Sequence, residues 1–432
     1  MRYRSQAKGL FQLEGLNLPT YSYGLYKVRR GFMKRNLIRW VPAVMAPVLV
    51  AATAIGFSVS ANAAVDLPDK SASQILQLIN TNPDIAFSGH VVKKAALGLP
   101  PMNIIPDVSQ SMIDQAAKNM PKEMMDFLPQ ASAQGELALA LEFAAGTHEA
   151  NVYVDGESKA RVQVLDLLSE RDFIRNGSDF WFYDAGKQRV KHSVLSAAEE
   201  AAAEKDALNF FNANSAKLPF DATSPAAVAD YFLAQAGKDT VFTVGKDAKI
   251  AGRGVYQLTM APRNAGSLVE SATMSVDAAT GLPMAVVVKA VGQSTAAFEV
   301  SFTSITFAKP AASNFAFTVP AGSKVEEVAL PTKADAMKYT GKVPTAADEA
   351  QAKAEAEKLM AQGWSAVVEI PADKVPAQIT ALKGNKLFTE LTKPVAGGRI
   401  FTTSLMNVFI ADDGRVFAGS VTTLKLLQAA AK

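Results

Sequence analysis

The sequence predicts a mainly β chain of the α+β class, and three observations carry that expectation. Two long stretches show the period-2 alternation of half-buried strands. Asp155-Gly156 and Asn176-Gly177 fall between alternating segments, where tight hairpins favour positive φ angles. The last strand of the second stretch changes parity midway. Phe298, Val300 and Phe302 share one face, while Ile305 and Phe307 have the other parity. A bulge near Thr303 would restore one apolar face, and bulges bend strands towards barrels.

Taken in order, a short helix comes first. Ser71 and Gln74 have capping-box spacing, and Ala72, Ile75, Leu76 and Ile79 recur at helical intervals. Asn82-Pro83-Asp84 ends it, and a strand is expected over 85–93. Residues 98–132 differ: five prolines interrupt them and Met102, Met112, Met120, Met124 and Met125 cluster there. One or two short helices in an excursion between strands are expected. Alternation then resumes, with Leu137, Leu139, Leu141 and Phe143 on one face. Strands are expected near 147–154, 157–165, 169–175, 178–184 and 188–195.

An Ala/Glu/Lys-rich helix follows over 196–209. A second helix starts at Ser224-Pro225 and runs through Val228, Tyr231, Phe232 and Leu233 to Gly237. The second β stretch has strands near 240–244, 253–260, 268–276, 283–290 and 296–307. Residues 326–344, with Pro331, Gly341 and Pro344, are expected to form a linker. A small α+β unit over 345–432 completes the chain. It has a helix from Thr345 to Gly363, a strand over Trp364–Ile370, a hairpin near 399–411 and 415–420, and a last helix over 422–430.

Charge is unevenly placed. The 432 residues hold 44 Lys/Arg and 41 Asp/Glu. Residues 1–63 carry nine of those bases and one acid, leaving 35 basic and 40 acidic groups beyond, a net of −5. That balance offers no basic patch for nucleic acid. With no Cys, disulfides, thiol catalysis, Cys-ligated metals and a Cys-linked lipid anchor are excluded.

The basic start reads as an export signal. Lys34, Arg35 and Arg39 precede an uncharged stretch from Val41 to Ser58, and Ala61-Asn62-Ala63 fits the cleavage pattern. Cleavage is expected after Ala63; an uncleaved anchor is the alternative. Either way the following residues lie outside the cytoplasmic membrane. Arg29-Arg30-Gly31-Phe32-Met33-Lys34 resembles the twin-Arg export motif, although Met33 is also a natural start.

No catalytic constellation emerges. His90, His148 and His192 fall on separate predicted strands without metal spacing, and no phosphate loop, dinucleotide fingerprint or nucleophile elbow is present. No cofactor or metal is expected. What remains is apolar. The inward faces form either a packed core or a half-closed barrel holding a greasy ligand. The candidate lining and lid residues are Met112, Met120, Met124, Met125, Leu137, Leu139, Leu141, Phe143, Phe180, Phe182, Phe298, Val300 and Phe302. Methionine suits a movable lid because it adapts to irregular apolar shapes. Phe180-Trp181-Phe182-Tyr183 is apolar on both parities, so that strand is expected to be covered on both sides.

Several segments, in order, resemble one family. They are Glu170 to Gly177, Asp179 to Asp184, Ala251 to Leu258, Asp277 to Pro283 and Phe315 to Gly322. Together they resemble the LolA/LolB-like lipoprotein-carrier superfamily and the first domain of RseB/MucB-type periplasmic regulators, over residues 71–325. The resemblance implies a strongly curved, unclosed antiparallel β-barrel with a helical lid over an apolar cavity, and no catalytic residues. It implies lipid or acylated protein as ligand. Related carriers are often anchored through a lipidated Cys; lacking one, this chain would be soluble or released. The expected domains are the leader 1–63, a LolA-like half-barrel 64–325, the linker 326–344 and the unit 345–432. Three functions compete: a carrier, a sensor that docks a membrane-protein partner through 345–432, and an interaction protein whose barrel its own side chains fill. An enzyme ranks fourth.

Starting translation at Met33 is expected to leave export unchanged in envelope fractions. Loss of export would support the twin-Arg reading.

Overall fold

A computed structural model describes residues 66–79, 85–99, 145–166, 169–198, 200–201, 205, 224–328, 359, 362–375 and 386–431. The first element is helix α1 (Ala72–Leu78), and both halves of the expected capping box form: the Ser71 hydroxyl accepts from the Gln74 N–H and Gln74 answers to the Ser71 N–H. Strands β1 (Ala86–Ala95), β2 (Gly146–Asp155), β3 (Lys159–Asp166), β4 (Ser169–Asn176), β5 (Asp179–Asp184) and β6 (Arg189–Val194) form an antiparallel meander. At its hairpins Gly156 and Gly177 have φ of +67° and +65°. Residues 197, 198, 200, 201 and 205 are helical, within the expected 196–209 helix. Helix α2 (Pro225–Ala236) follows, capped by the Ser224 side chain at Ala227 N–H and ended at Gly237.

The second meander contains β7 (Thr240–Val244), β8 (Ala248–Ile250), β9 (Arg253–Pro262), β10 (Val269–Asp277), β11 (Pro283–Ala290) and β12 (Ala296–Thr306). A 3-10 turn at Ala312–Phe315 and β13 (Lys324–Glu327) follow. All thirteen strands belong to one sheet. Its order is β13-β6-β5-β4-β3-β2-β1-β12-β11-β10-β9-β7, with β8 also on β9. β13 and β7 do not pair, so the curved sheet is an unclosed barrel, as expected.

The bulge falls where the parity switch placed it. His90 opposes Ser304 and Val91 opposes Phe302, which leaves Thr303 as the extra residue. Phe302 and Ile305 then pack against one cluster, with Ala248, Ile250, Val255 and Met284. A Cβ on Gly89 would lie 2.8 Å from the Phe302 ring, so this glycine lets the ring lie flat over β1.

Two short strands of the large sheet escaped the sequence reading. β8 has only three residues. β13 has four, Lys324–Glu327, all exposed, and they begin where the chain was read as turning into linker. No alternation marks them; tertiary pairing makes them strands. β13 also departs from the antiparallel expectation, because it runs parallel to β6. After β12 the chain crosses one face of the sheet before β13. This strap lays its 3-10 turn against β3 and β4 and buries Phe315. Phe317 meets Trp181 and Tyr183, at 5.2 and 5.8 Å between ring centroids. The strap therefore supplies the cover on that side of β5.

The C-terminal unit is α+β, as expected, with finer divisions. The Trp364–Ile370 strand shortens to β14 (Val368–Ile370) after a 3-10 turn at Gly363–Ser365. Helix α3 (Lys386–Leu391) leads to β15 (Thr392–Val395). The long first arm of the expected hairpin is two strands, β16 (Gly398–Thr402) and β17 (Asn407–Ala411), because Thr403 Oγ1 accepts from the Leu405 and Met406 N–H groups and turns the chain. β18 (Val416–Gly419) and helix α4 (Thr423–Ala430) finish the unit, in strand order β14-β18-β17-β16-β15. Leu426 of α4 seals Phe409, Phe417 and Val421.

One buried carboxylate ties β9, β10 and the β10–β11 turn together. Asp277, 1% exposed, accepts two bonds from Arg253, two from the Ala279 and Thr280 N–H groups and one from the Thr280 hydroxyl. In the same turn Gly281 has φ +74°, and a Cβ there would meet the Leu78 carbonyl at 1.9 Å. The turn thus seats the end of α1. Burial pushes the Asp277 pKa up, but the bonds from Arg253 and Thr280 outweigh it and hold it below the ordinary value. Asp277→Ala should cost about 3 kcal/mol in denaturant unfolding, since the Ala279, Thr280 and Arg253 donors lose their buried acceptor. The native contribution should be complete above the unfolded aspartate pKa, ~4, and vanish as pH falls through the lower folded value. In Asp277→Asn that acid-side slope should disappear.

Candidate functional site

Alternation and register define a continuous apolar face. One cross-strand row reads Ile305, Gly89, Val152, Val162, Phe173, Phe182 from β12 to β5. The next row holds Phe87, Val154, Ala160, Arg175 and Phe180. Beyond β1 the same face carries Phe298 and Val300 on β12, Val288 and Val286 on β11, Met274 on β10 and Leu258 on β9.

Cover over this face is uneven. Towards β9 and β10, α1 and α2 close it: Ile75, Leu76, Ile79 and Ala229 pack on Tyr256, Leu258, Met274 and Val276. At the end of β1 and the start of β12, the C-terminal unit closes it. Leu405, fully buried, inserts among Ala95, Leu97, Val288, Ala290 and Phe298. Ser404 fixes that turn, with its N–H on the Leu97 carbonyl and its hydroxyl on the Ala96 carbonyl, at 2.8 and 2.9 Å. Trp364 packs on the same cluster and donates to Thr240 Oγ1 at 2.8 Å. Over β2 to β5 the face is more open: Phe173 is 46% exposed, and its ring meets Phe182 at 4.8 Å. Large exposed aromatics on a sheet face stand out against an ordinary surface.

The structure therefore divides the predicted residues. Phe180, Phe182, Phe298, Val300 and Phe302 share the apolar face. Phe298 and Val300 sit at the end closed by Leu405, and Phe302 lies over Gly89 with its edge to Phe87. Phe180 and Phe182 belong to the open part, where the Arg175 guanidinium lies 5.1 Å from the Phe180 ring centre. Met112, Met120, Met124, Met125, Leu137, Leu139, Leu141 and Phe143 lie outside the described residues. Sequence reasoning missed Phe173, although it shares the parity that faces Phe182 across the 176–179 turn. It also missed Leu405, whose short turn has no periodic signal.

The face is not wholly apolar. Arg171 and Asp184 oppose each other on it, both buried, with Nε and Oδ2 3.8 Å apart. The reverse face of the same strands is apolar under the strap, around Ile174, Trp181 and Tyr183, and polar beside it. His90, Asn151, Gln163 and Glu170 form a hydrogen-bonded chain, and Arg161 grips Asp172 through two 2.8 Å bonds. Burial pushes the Asp172 pKa up, Arg161 opposes this and Glu170 adds to it, for a net rise. The three histidines stay apart: His90 bonds Asn151, His148 the Ala145 carbonyl, and His192 two carboxylates. Among the described residues no group of three His, Asp or Glu side chains is arranged to hold a metal, and no helix is long and apolar enough to cross a membrane.

Burial separates core from open face in a testable way. Phe298→Ala should cost about 3–5 kcal/mol in thermal or denaturant unfolding. Phe173→Ala should cost about 1 kcal/mol or less, because half of its ring already meets solvent.

No family model matches the chain, and no curated protein matches it. Solved structures do. The chain is similar to MucB at 14% identity and TM-score 0.30, over 57% of this chain and 62% of that one. The match thus spans under two thirds of that MucB chain. It is similar to the MucA/MucB complex of Pseudomonas aeruginosa at 14% identity and TM-score 0.36, over 83% and 96% of the two chains. A LolA superfamily protein from Nitrosomonas europaea aligns at 10% identity and TM-score 0.21, over 58% and 99%. These are the families that the sequence resembles.

Proposed function

We propose that this chain binds or carries a hydrophobic ligand, a lipid or the acyl chain of a lipoprotein, outside the cytoplasmic membrane and without catalysis. The observation that carries the reading is the uneven cover of the apolar face. Helices close one part, Leu405 closes another, and the β2–β5 part presents Phe173 beside Phe182. An acyl chain laid there would remove aromatic surface from water at about 25 cal/mol per Å². The excursion that holds Met112, Met120, Met124 and Met125 supports the lid reading. It leaves after β1 and returns at β2, and Ala95 pairs directly with Gly146, so both its ends meet the sheet at the end of β1, next to the Leu405 cluster.

A second reading, the sensor, is favoured by Leu405. The C-terminal unit occupies the end of the face where a long ligand would arrive, so occupancy there would bear on how that unit docks. A membrane-protein partner would then act through 345–432.

Protein exported in a native-like envelope and purified without detergent should yield, on solvent extraction and mass spectrometry, close to one acyl-bearing species per chain. Phe173→Asp with Phe182→Asp should lower that occupancy ~10-fold, the equivalent of about 1.4 kcal/mol. The same variant should keep its unfolding transition. Polar replacements at the four methionines should reduce retention in the same way. A wild-type protein free of lipid that also refuses a fluorescent fatty acid would overturn the proposal and favour the filled barrel.

A further inference from the structure

His192 on β6 plays no part in the ligand face, yet its ring is held on three sides. Its ring stacks on Trp181 with centroids 3.7 Å apart and planes 16° from parallel. Nδ1 lies 2.9 Å from Glu327 Oε2, and Nε2 lies 3.1 Å from Asp179 Oδ1. Ionised carboxylates only accept, and a neutral imidazole has one N–H to give. Serving both partners requires the imidazolium.

Glu327 ends β13, the edge strand whose four residues are all exposed. β13 holds β6 over only four register pairs. The other ties are Lys324 N–H to the Gln188 carbonyl at 2.9 Å, Val328 N–H to the His192 carbonyl at 2.7 Å, and the Ser193 hydroxyl to the Val328 carbonyl at 2.5 Å. A strand so short and so exposed gains little from burial, so the charge-assisted contact of the mostly buried His192 ring with the exposed Glu327 carboxylate weighs in its docking.

We propose that His192 is a proton-operated clamp that holds β13, and with it the strap from β12, on the open edge of the sheet. The groups facing the ring are few. β5 contributes Asp179 and the stacked Trp181. β13 contributes Glu327. Glu326 and Lys324 on β13 oppose Lys191 and Arg189 on β6, and alternation sends Lys191 to the reverse side from His192. The strap brings Phe317, an uncharged ring, against Trp181. Burial disfavours the charged ring, but Glu327 and Asp179 prevail and raise its pKa above the ordinary imidazole value. The clamp is thus closed below the unfolded pKa and opens as pH rises through the higher folded value. Opening it bares the β6 edge, a row of backbone groups able to accept another strand.

With three histidines in the chain, ring-labelled histidine NMR of the purified exported protein resolves each titration, and His192→Gln assigns one. Hydrogen exchange of the 324–328 amides, corrected for intrinsic rate, reads the docking. His192 should titrate above 6.5, and protection of 324–328 should fall as pH rises from 6.5 to that midpoint, ~10-fold for each pH unit between them, and level off beyond it. Glu327→Gln and Asp179→Asn should each lower the midpoint. His192→Gln should leave 324–328 weakly protected at every pH while the core strands exchange as in wild type. A His192 midpoint at or below the ordinary value would overturn the clamp. So would a raised midpoint with 324–328 protection indifferent to pH, or wild-type protection in His192→Gln.

Discussion

The pairing of β1 with β12 is the constraint on which the rest of this fold depends. It joins residues more than 200 positions apart, from Ser88 opposite Thr306 to Ala95 opposite Phe298. Every other strand pair of the large sheet, apart from the β13 edge, lies within one of two local meanders. Without this seam those meanders would be separate small sheets, each with two bare edges. With it, one thirteen-stranded surface has a continuous apolar side broad enough to carry two helices, the Leu405 turn and an open aromatic patch. The Thr303 bulge belongs to the same seam. It returns Ile305 to the side of Phe302 and lets the ring fold over Gly89.

Two kinds of polar device keep this broad sheet from collapsing into a featureless core. Arg253 and Asp277 fix the turn that seats α1, the half-exposed guanidinium satisfying the buried carboxylate. Arg161 and Asp172 do the same on the reverse face of β3 and β4, beside the chain that runs from His90 to Glu170. These groups hold geometry, and none converges with a second reactive side chain on the apolar side. The apolar side is left to shape and burial, which suits recognition of a ligand that offers few hydrogen bonds.

Much of the fold was legible in the chain because short-range physics set it. The Ser71 and Gln74 spacing dictated a cap, Ser224-Pro225 dictated a helix start, and the parity change after Phe302 dictated a bulge. Long amphipathic strands such as β2, β4 and β12 carry their own period. What stayed hidden was set from a distance. β13 is a strand only because β6 offers an edge, and its Lys-Val-Glu-Glu sequence buries nothing. Leu405 looked like any leucine in a turn, and only the docking of the C-terminal unit buries it. The site was legible by half: parity placed Phe180, Phe182, Phe298, Val300 and Phe302 on one side, but only tertiary packing distinguishes the covered phenylalanine from the open ones.

The β1–β12 seam also sets a clock. A chain made from its N-terminus presents β1 long before β12 exists. At about 5–20 residues per second, some 200 residues correspond to a delay of roughly 10–40 s. Throughout that interval β1 has one neighbour at most, and the face that Phe302 will cover has no Phe302. The first meander must therefore survive with an apolar side and an unpaired edge exposed. Quality-control factors that recognise unpaired strands would find their target in the newborn chain, and a truncation before residue 296 would keep it in that state permanently.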